Sequence, residues 1–188
     1  MYHQRYMAPG RTRTVVKQLD VDLHMLEMST PSEKHTEDVA IRNSTITFPL
    51  IQVDEMPFVL EGEEISLICT DEYANFVASV EEHVAGIVAE KSLTWFGKVI
   101  TFDQCEKMLR SGLDGHTNPK HSIPCANMRV FDHETKPCEC TSTGCAVLII
   151  RIEGLTFYEK ECELNWSVFQ LKLSDDSQSD SSTNWIGQ

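Results

Sequence analysis

Three small groups of side chains in this chain have the types that chemistry uses. The first is His133-x4-Cys138-x-Cys140-x4-Cys145, with His121 and Cys125 upstream. Zinc takes four nitrogen or sulfur ligands in a tetrahedron, and structural sites usually space the first pair by two to four residues. Only Glu139 separates Cys138 from Cys140. The run therefore reads more readily as a hairpin loop carrying free thiols, with zinc left open and no metal or cofactor assigned. The other two groups set aromatic residues beside cations: Trp95, Phe96 and Lys98 in one stretch, Phe157, Tyr158 and Lys160 in the other. Unstructured nucleic acid is held by bases stacked on aromatic faces above a basic groove, each stack contributing about 1–3 kcal/mol. Either group reads equally well as a corner of the core or as a protein interface.

Covalent catalysis finds little support. A serine or cysteine nucleophile needs a partnered base, and none is signalled nearby; His83 falls on the polar side of a helical pattern. The chain has no glycine-rich phosphate loop, HExxH, DxD or nucleophile elbow. Its acids between positions 54 and 64 lack the calcium-loop pattern. The expectation is a binding or structural protein, not an enzyme.

Composition narrows the class. The 188 residues suffice for one ordinary domain with tails. No apolar run approaches the roughly 18–20 residues that span a bilayer, and Met1-Tyr2-His3-Gln4-Arg5 lacks the apolar core of a secretory signal. Seven irregularly placed cysteines, an odd number, point to free thiols in a reducing compartment. An intracellular protein with no membrane association is expected. A net charge of −13 argues against nucleic acid until its distribution is considered. Positions 1–19 hold four basic residues and no acid, and positions 43–90 hold ten acids and no Lys or Arg. Positions 91–130 turn basic again, with Lys91, Lys98, Lys107, Arg110, Lys120 and Arg129 against three acids. Segregation of this kind lets an acidic protein present one positive face.

The elements that must position these groups follow from periodicity. Residues 15–26 offer at most an edge strand, and 28–36 (MSTPSEKHT) read as a loop or linker. Thr45–Phe48 alternates as a half-buried strand that Pro49 ends. Residues 56–60 and 65–69 pattern as a hairpin around Glu61-Gly62-Glu63-Glu64. Thr70 is placed to cap a helix whose stripe is Tyr73, Phe76, Val77, Val80, Val84, Ile87 and Val88, running out near 91–93. Thr101 caps a shorter helix over 102–110, with Phe102, Cys105, Met108 and Leu109 inward and Gly112 as its stop. Residues 111–123 read as a polar loop, 128–131 as a short strand, and 132–144 as a loop. Residues 146–173 form the best-specified feature, a hairpin whose first run (147–152) is almost continuously apolar. In its second run Leu164, Trp166 and Val168 share one face, then Phe169, Leu171 and Leu173 the other. Such a phase change calls for a bulge or bend, as in small barrels.

Three of these segments together resemble a known family. Residues 73–98 (YANFVASVEEHVAGIVAEKSLTWFGK), the short helix after them, and 152–173 (IEGLTFYEKECELNWSVFQLKL) are similar to the single-stranded DNA-binding proteins of certain tailed-phage replisomes and their relatives in nucleocytoplasmic large DNA viruses. The shared scheme is a helix ending at WFGK, a short helix, a variable hairpin, then GLWF…GLxWxVxQ. Here the last elements stand as Gly154-Leu155-Thr156-Phe157 and Leu164-Asn165-Trp166-Ser167-Val168-Phe169-Gln170, with Thr156 where an aromatic is usual. The resemblance covers roughly residues 45–173, with gaps. It implies an α+β, mainly β domain: an OB-fold-like five-stranded barrel with a long helix between the third and fourth strands. The domain would span 39–173, behind a flexible basic-to-polar arm (1–38) and ahead of a disordered acidic tail (174–188). The family's tail competes with DNA and recruits replication proteins, and Asp175, Asp176, Asp180 and Trp185 fit that place. The nucleic-acid surface would draw on Trp95, Phe96, Lys98, Lys107, Arg110, Arg129, Arg151, Phe157, Tyr158 and Lys160. Phe157 and Tyr158 are the expected base-stacking rings, and Trp166 the core ring. The implied activity is sequence-independent binding of single-stranded DNA in viral replication, repair or recombination, at a replication site in host cytoplasm or nucleus, with a homodimer possible. The alternative is a minor virion or scaffold protein without nucleic-acid binding.

Overall fold

The computed structural model describes residues 6–8, 11–35, 40–115 and 117–175. In chain order its elements begin with β1 (Tyr6–Ala8), β2 (Arg11–Arg13), β3 (Val15–Lys17), β4 (Glu27–Met28) and β5 (Ser32–His35). The longer strands β6 (Ala40–Thr47), β7 (Leu50–Glu61) and β8 (Glu64–Ile68) lead into helices α1 (Asp71–Phe96) and α2 (Phe102–Met108). Four short strands follow, β9 (Leu109–Arg110), β10 (Leu113–Asp114), β11 (Lys120–Pro124) and β12 (Arg129–Phe131). The long hairpin β13 (Thr143–Phe157) and β14 (Cys162–Leu173) completes the order. The protein is α+β and mainly β, as expected. Its pairing goes beyond the five strands expected: β3 to β14 form one 12-stranded sheet, with path β10-β11-β8-β7-β13-β14-β12 and five strands attached alongside.

β13 is the spine. It pairs antiparallel with β14 through residues 146–157, with β7 through residues 143–150, and with β6 through 154–157. β6 and β7 thus behave as one strand bent at Phe48-Pro49, where the proline removes a ladder donor. Three bulges curve the sheet. Asp54 and Glu55 on β7 oppose Val147 alone, Glu153 is extra on β13, and Phe169 is extra on β14. The last is the predicted phase change: Leu164, Trp166 and Val168 are buried before it and Leu171 after it. At Gly154 any Cβ would run into the Ser44 carbonyl oxygen of β6, so only glycine lets the strands close there.

α1 packs its stripe of Tyr73, Val77, Val80, Val84, Ala85 and Val88 into the sheet's core. The Thr70 hydroxyl accepts from the Tyr73 amide at 3.2 Å, and Gly97 (φ 69°) closes the other end in the left-handed conformation. The helix runs to Phe96, beyond the predicted end, because the cap lies after the aromatic pair and not before it. α2 carries a full capping box between Thr101 and Gln104, but Phe102, predicted inward, is 37% exposed.

Two loop predictions are corrected, and an expected edge strand is found. The stretch 28–36 carries β5 and the end of β4, both paired with β6. Val15–Lys17 pairs parallel with Leu50–Gln52, the edge strand offered by residues 15–26. The stretch 111–123 contains β10 and most of β11, where His121 and Ile123 are fully buried. Strands this short carry too little alternation to register, and they are held by their neighbours' ladders instead.

Candidate nucleic-acid interface

The two aromatic and basic stretches, about sixty positions apart in sequence, meet in space. α1 delivers Trp95 and Phe96 on its last turn, and β13 delivers Phe157 as its last residue with Tyr158 just beyond. The Phe96 and Phe157 rings meet edge to face at 5.2 Å, and Trp95 stands edge-on to Phe96 at 6.1 Å. Cations cover these rings. The Arg42 guanidinium lies 5.9 Å from the Phe96 centroid, and the Lys91 ammonium 5.6 Å from that of Trp95. Lys98, just past the helix cap, and Lys160, in the hairpin turn, are exposed.

The rings divide their roles. Phe157 is only 6% exposed and belongs to the core, which corrects its expected part as a base-stacking ring. Strand alternation turns it inward, and Phe96 covers what would remain open. Tyr158 leaves the strand and is 36% exposed; Trp95 is half-buried. Trp166 is buried, as expected.

The remaining basic residues spread out. Arg110, on β9, lies against the hairpin and pairs with Glu161 and, at 3.4 Å, with Glu163. Lys107 is exposed on α2, three residues before it. Arg151 lies mid-strand and pairs with Glu153, which also accepts from the Ser167 hydroxyl at 2.6 Å. Arg129 stacks on Phe169 at 5.7 Å, about 25 Å along β14 from the hairpin end at some 3.3 Å per residue. Arg129 and Arg151 are therefore not part of the hairpin-end cluster. Asp175 is exposed; Asp176, Asp180 and Trp185 lie outside the described residues.

Sequence reading missed Arg42 and Lys91 as members of the cluster. Lys91 is four residues before Trp95 on one helix, a spacing that signals contact. Arg42 had no local signal: it reaches the cluster because β6 sets it opposite Phe157.

The cysteine and histidine groups come apart. His121 is fully buried in β11, its Nδ1 2.8 Å from the Tyr73 hydroxyl, while His133 and Cys138 are exposed on the 132–142 loop. Among the described residues no three His, Cys, Asp or Glu side chains are grouped to hold a metal ion. Burial raises the Cys69 thiol to about 11 and Cys162 to about 12, and pushes Cys105, Cys125 and Cys140 upward as well. Those thiols stay protonated at neutral pH, the opposite of an activated nucleophile. His83, expected in water, is half-buried and meets His24 edge-on at 5.6 Å. No described helix is long and apolar enough to cross a membrane.

No protein-family model matches the chain, and no curated protein does. Among solved structures, the single-stranded DNA-binding protein of bacteriophage Enc34 in complex with single-stranded DNA is similar at 12% identity and a TM-score of 0.43, covering 81% of this chain and 98% of that one. A second structure of the same phage protein gives 12% identity and a TM-score of 0.44, over 82% of this chain and 96% of that one.

Proposed function

We propose that this protein binds single-stranded DNA without sequence preference, in support of viral DNA replication, repair or recombination. One observation carries the reading: Trp95 and Phe96 from the helix end pack with Phe157 from the hairpin end under Arg42 and Lys91, and Tyr158, Lys98 and Lys160 adjoin these two chain ends, with Arg110 against the hairpin. Exposed Tyr158 and half-buried Trp95 offer faces to bases, and the cations border them where a phosphate backbone would run. The resemblance of the same segments to the replisome proteins' WFGK and GLxWxVxQ pattern supports it as well. On this reading the main strands work as an OB-type barrel. β7, β8, β11 continued by β12, β14 and β13 return to β7, and the parallel pairing of β12 with β14 joins the two halves. The tail from 174 onward, with Asp175, Asp176, Asp180 and Trp185, competes for the basic surface and recruits replication proteins at the site of viral replication.

Oligo-dT binding at two salt concentrations, with and without residues 174–188, tests the reading. Binding should weaken steeply with salt and tighten when the tail is removed. Trp95→Ala and Tyr158→Ala should each weaken it about 5- to 100-fold, the loss of one stacked base. Tail-less protein without affinity for oligo-dT at low salt would overturn the proposal.

A further inference from the structure

The cations at the hairpin end are already engaged. Glu33, Arg42 and Phe157 form one row across β5, β6 and β13, each opposite the next. The Arg42 guanidinium donates to Glu33 Oε1 from Nη2 at 2.6 Å and from Nε at 3.1 Å, beside the Phe96 ring. On the next strands Arg110 is opposite Glu163 and pairs with both Glu163 and Glu161 of the hairpin. Both guanidiniums, the pair with the best geometry for planar oxyanions, thus hold carboxylates. All of these side chains are substantially exposed: 39% and 46% for Arg42 and Glu33, 55% for Arg110, 44% and 42% for Glu161 and Glu163. Ion pairs this exposed add little to stability and open readily.

We infer that Arg42 and Arg110 are two phosphate seats, that the carboxylates of Glu33, Glu161 and Glu163 occupy them in the free protein, and that a bound strand takes these seats by exchange. The inference rests on the strand-binding reading above and adds to it Arg42 as a contact and three carboxylates as competitors. A phosphodiester offers the same pair of anionic oxygens as a carboxylate, so the exchange keeps each guanidinium's hydrogen bonds and releases the glutamates to water. It also has a salt signature. Cations leaving the DNA favour binding at low salt, while each freed glutamate gathers cations again. Wild-type binding is therefore less salt-dependent than its number of phosphate contacts would give.

The test is oligo-dT affinity of tail-less protein across a salt series, with thermal melts to show that each variant is folded. Glu161→Gln with Glu163→Gln should tighten binding about three- to tenfold at low salt and steepen the salt slope, and Glu33→Gln should do the same to a smaller degree. Arg110→Gln should cancel the first gain, and Arg42→Gln the second. Should wild-type tail-less protein bind no oligo-dT, the strand-binding reading falls and the exchange with it. Should it bind while the glutamine variants bind no tighter, the exchange alone is overturned. Gains that persist undiminished after Arg110 or Arg42 is replaced would mean a general charge effect, which also overturns it.

Discussion

At the scale of single residues, the hairpin end sets two neighbouring rings to different work. Phe157 closes β13 on its inward side and packs against Phe96; Tyr158 follows with its amide tied to the Glu161 carbonyl at 2.8 Å and its ring out of the core. Truncating a buried aromatic removes its burial and leaves a cavity, together about 3–5 kcal/mol. An exposed ring outside such packing contributes within about 0.5 kcal/mol. Phe157→Ala should therefore lower unfolding stability by the larger amount in urea melts, while Tyr158→Ala leaves the melt nearly unchanged and loses affinity for oligo-dT. Equal destabilisation by the two would show that Tyr158 is a core ring. The sequence named this pair but had no means of dividing it: the strand's end and the Phe96 contact, neither of them local to residues 157–158, decide which ring is covered.

At the scale of elements, curvature and closure come from a few positions on β13 and β14. The bulges at Glu153 and Phe169 change strand phase, and Gly154 sits beside the first of them, where the Ser44 carbonyl of β6 fills the place a Cβ would take. Gly154→Ala forces either β6 or β13 to move, because the obstacle is backbone and not a flexible side chain. The expected cost is about 1–3 kcal/mol, with faster amide hydrogen exchange along β6. Unchanged exchange at residues 43–45 would place the closure elsewhere. The terminal hairpin, its phase change, the cap at Thr70 and the stripe of α1 were all legible in the sequence, because each is specified by residues a few positions apart. β4, β5, β9, β10 and β11 were not, and β3 only as an edge strand somewhere within 15–26. They are short, partly polar, and hold their place through ladders to distant strands, so their own patterns carry little information. β11 is the instructive case: His121 breaks the apolar alternation of its strand, and only the tertiary partner Tyr73 makes it an inward residue.

For the whole molecule, that histidine ties three elements together. His121 of β11 bonds the Tyr73 hydroxyl from the first turn of α1 and lies perpendicular to the Trp166 ring of β14 at 5.0 Å. Its Nε2 and the Trp166 Nε1 are buried without hydrogen-bond partners among the described residues, so a proton added at Nε2 would gain no hydrogen bond there. Besides Tyr73, α1 brings Glu81 to this junction, where its carboxylate accepts from the Gly112 amide at 2.6 Å. Burial raises the Glu81 carboxyl and burial lowers His121 from 6.5 to about 4. The folded protein therefore keeps the imidazole neutral in a range where the unfolded chain protonates it. The unfolded state binds the extra proton, so this contribution to stability is intact above pH 6.5. It is lost as pH falls toward 4, at up to about 1.4 kcal/mol per pH unit. Glu81 acts in the opposite sense, since its raised folded pKa favours the folded state as acid is added, and this partly offsets the loss. Urea melts of wild type and His121→Gln at pH 7.5, 6 and 5 separate the two: the wild type should lose stability more steeply with acid than the variant. Parallel losses would mean that the imidazole is already protonated in the fold, and that the core junction of α1, β11 and β14 tolerates charge.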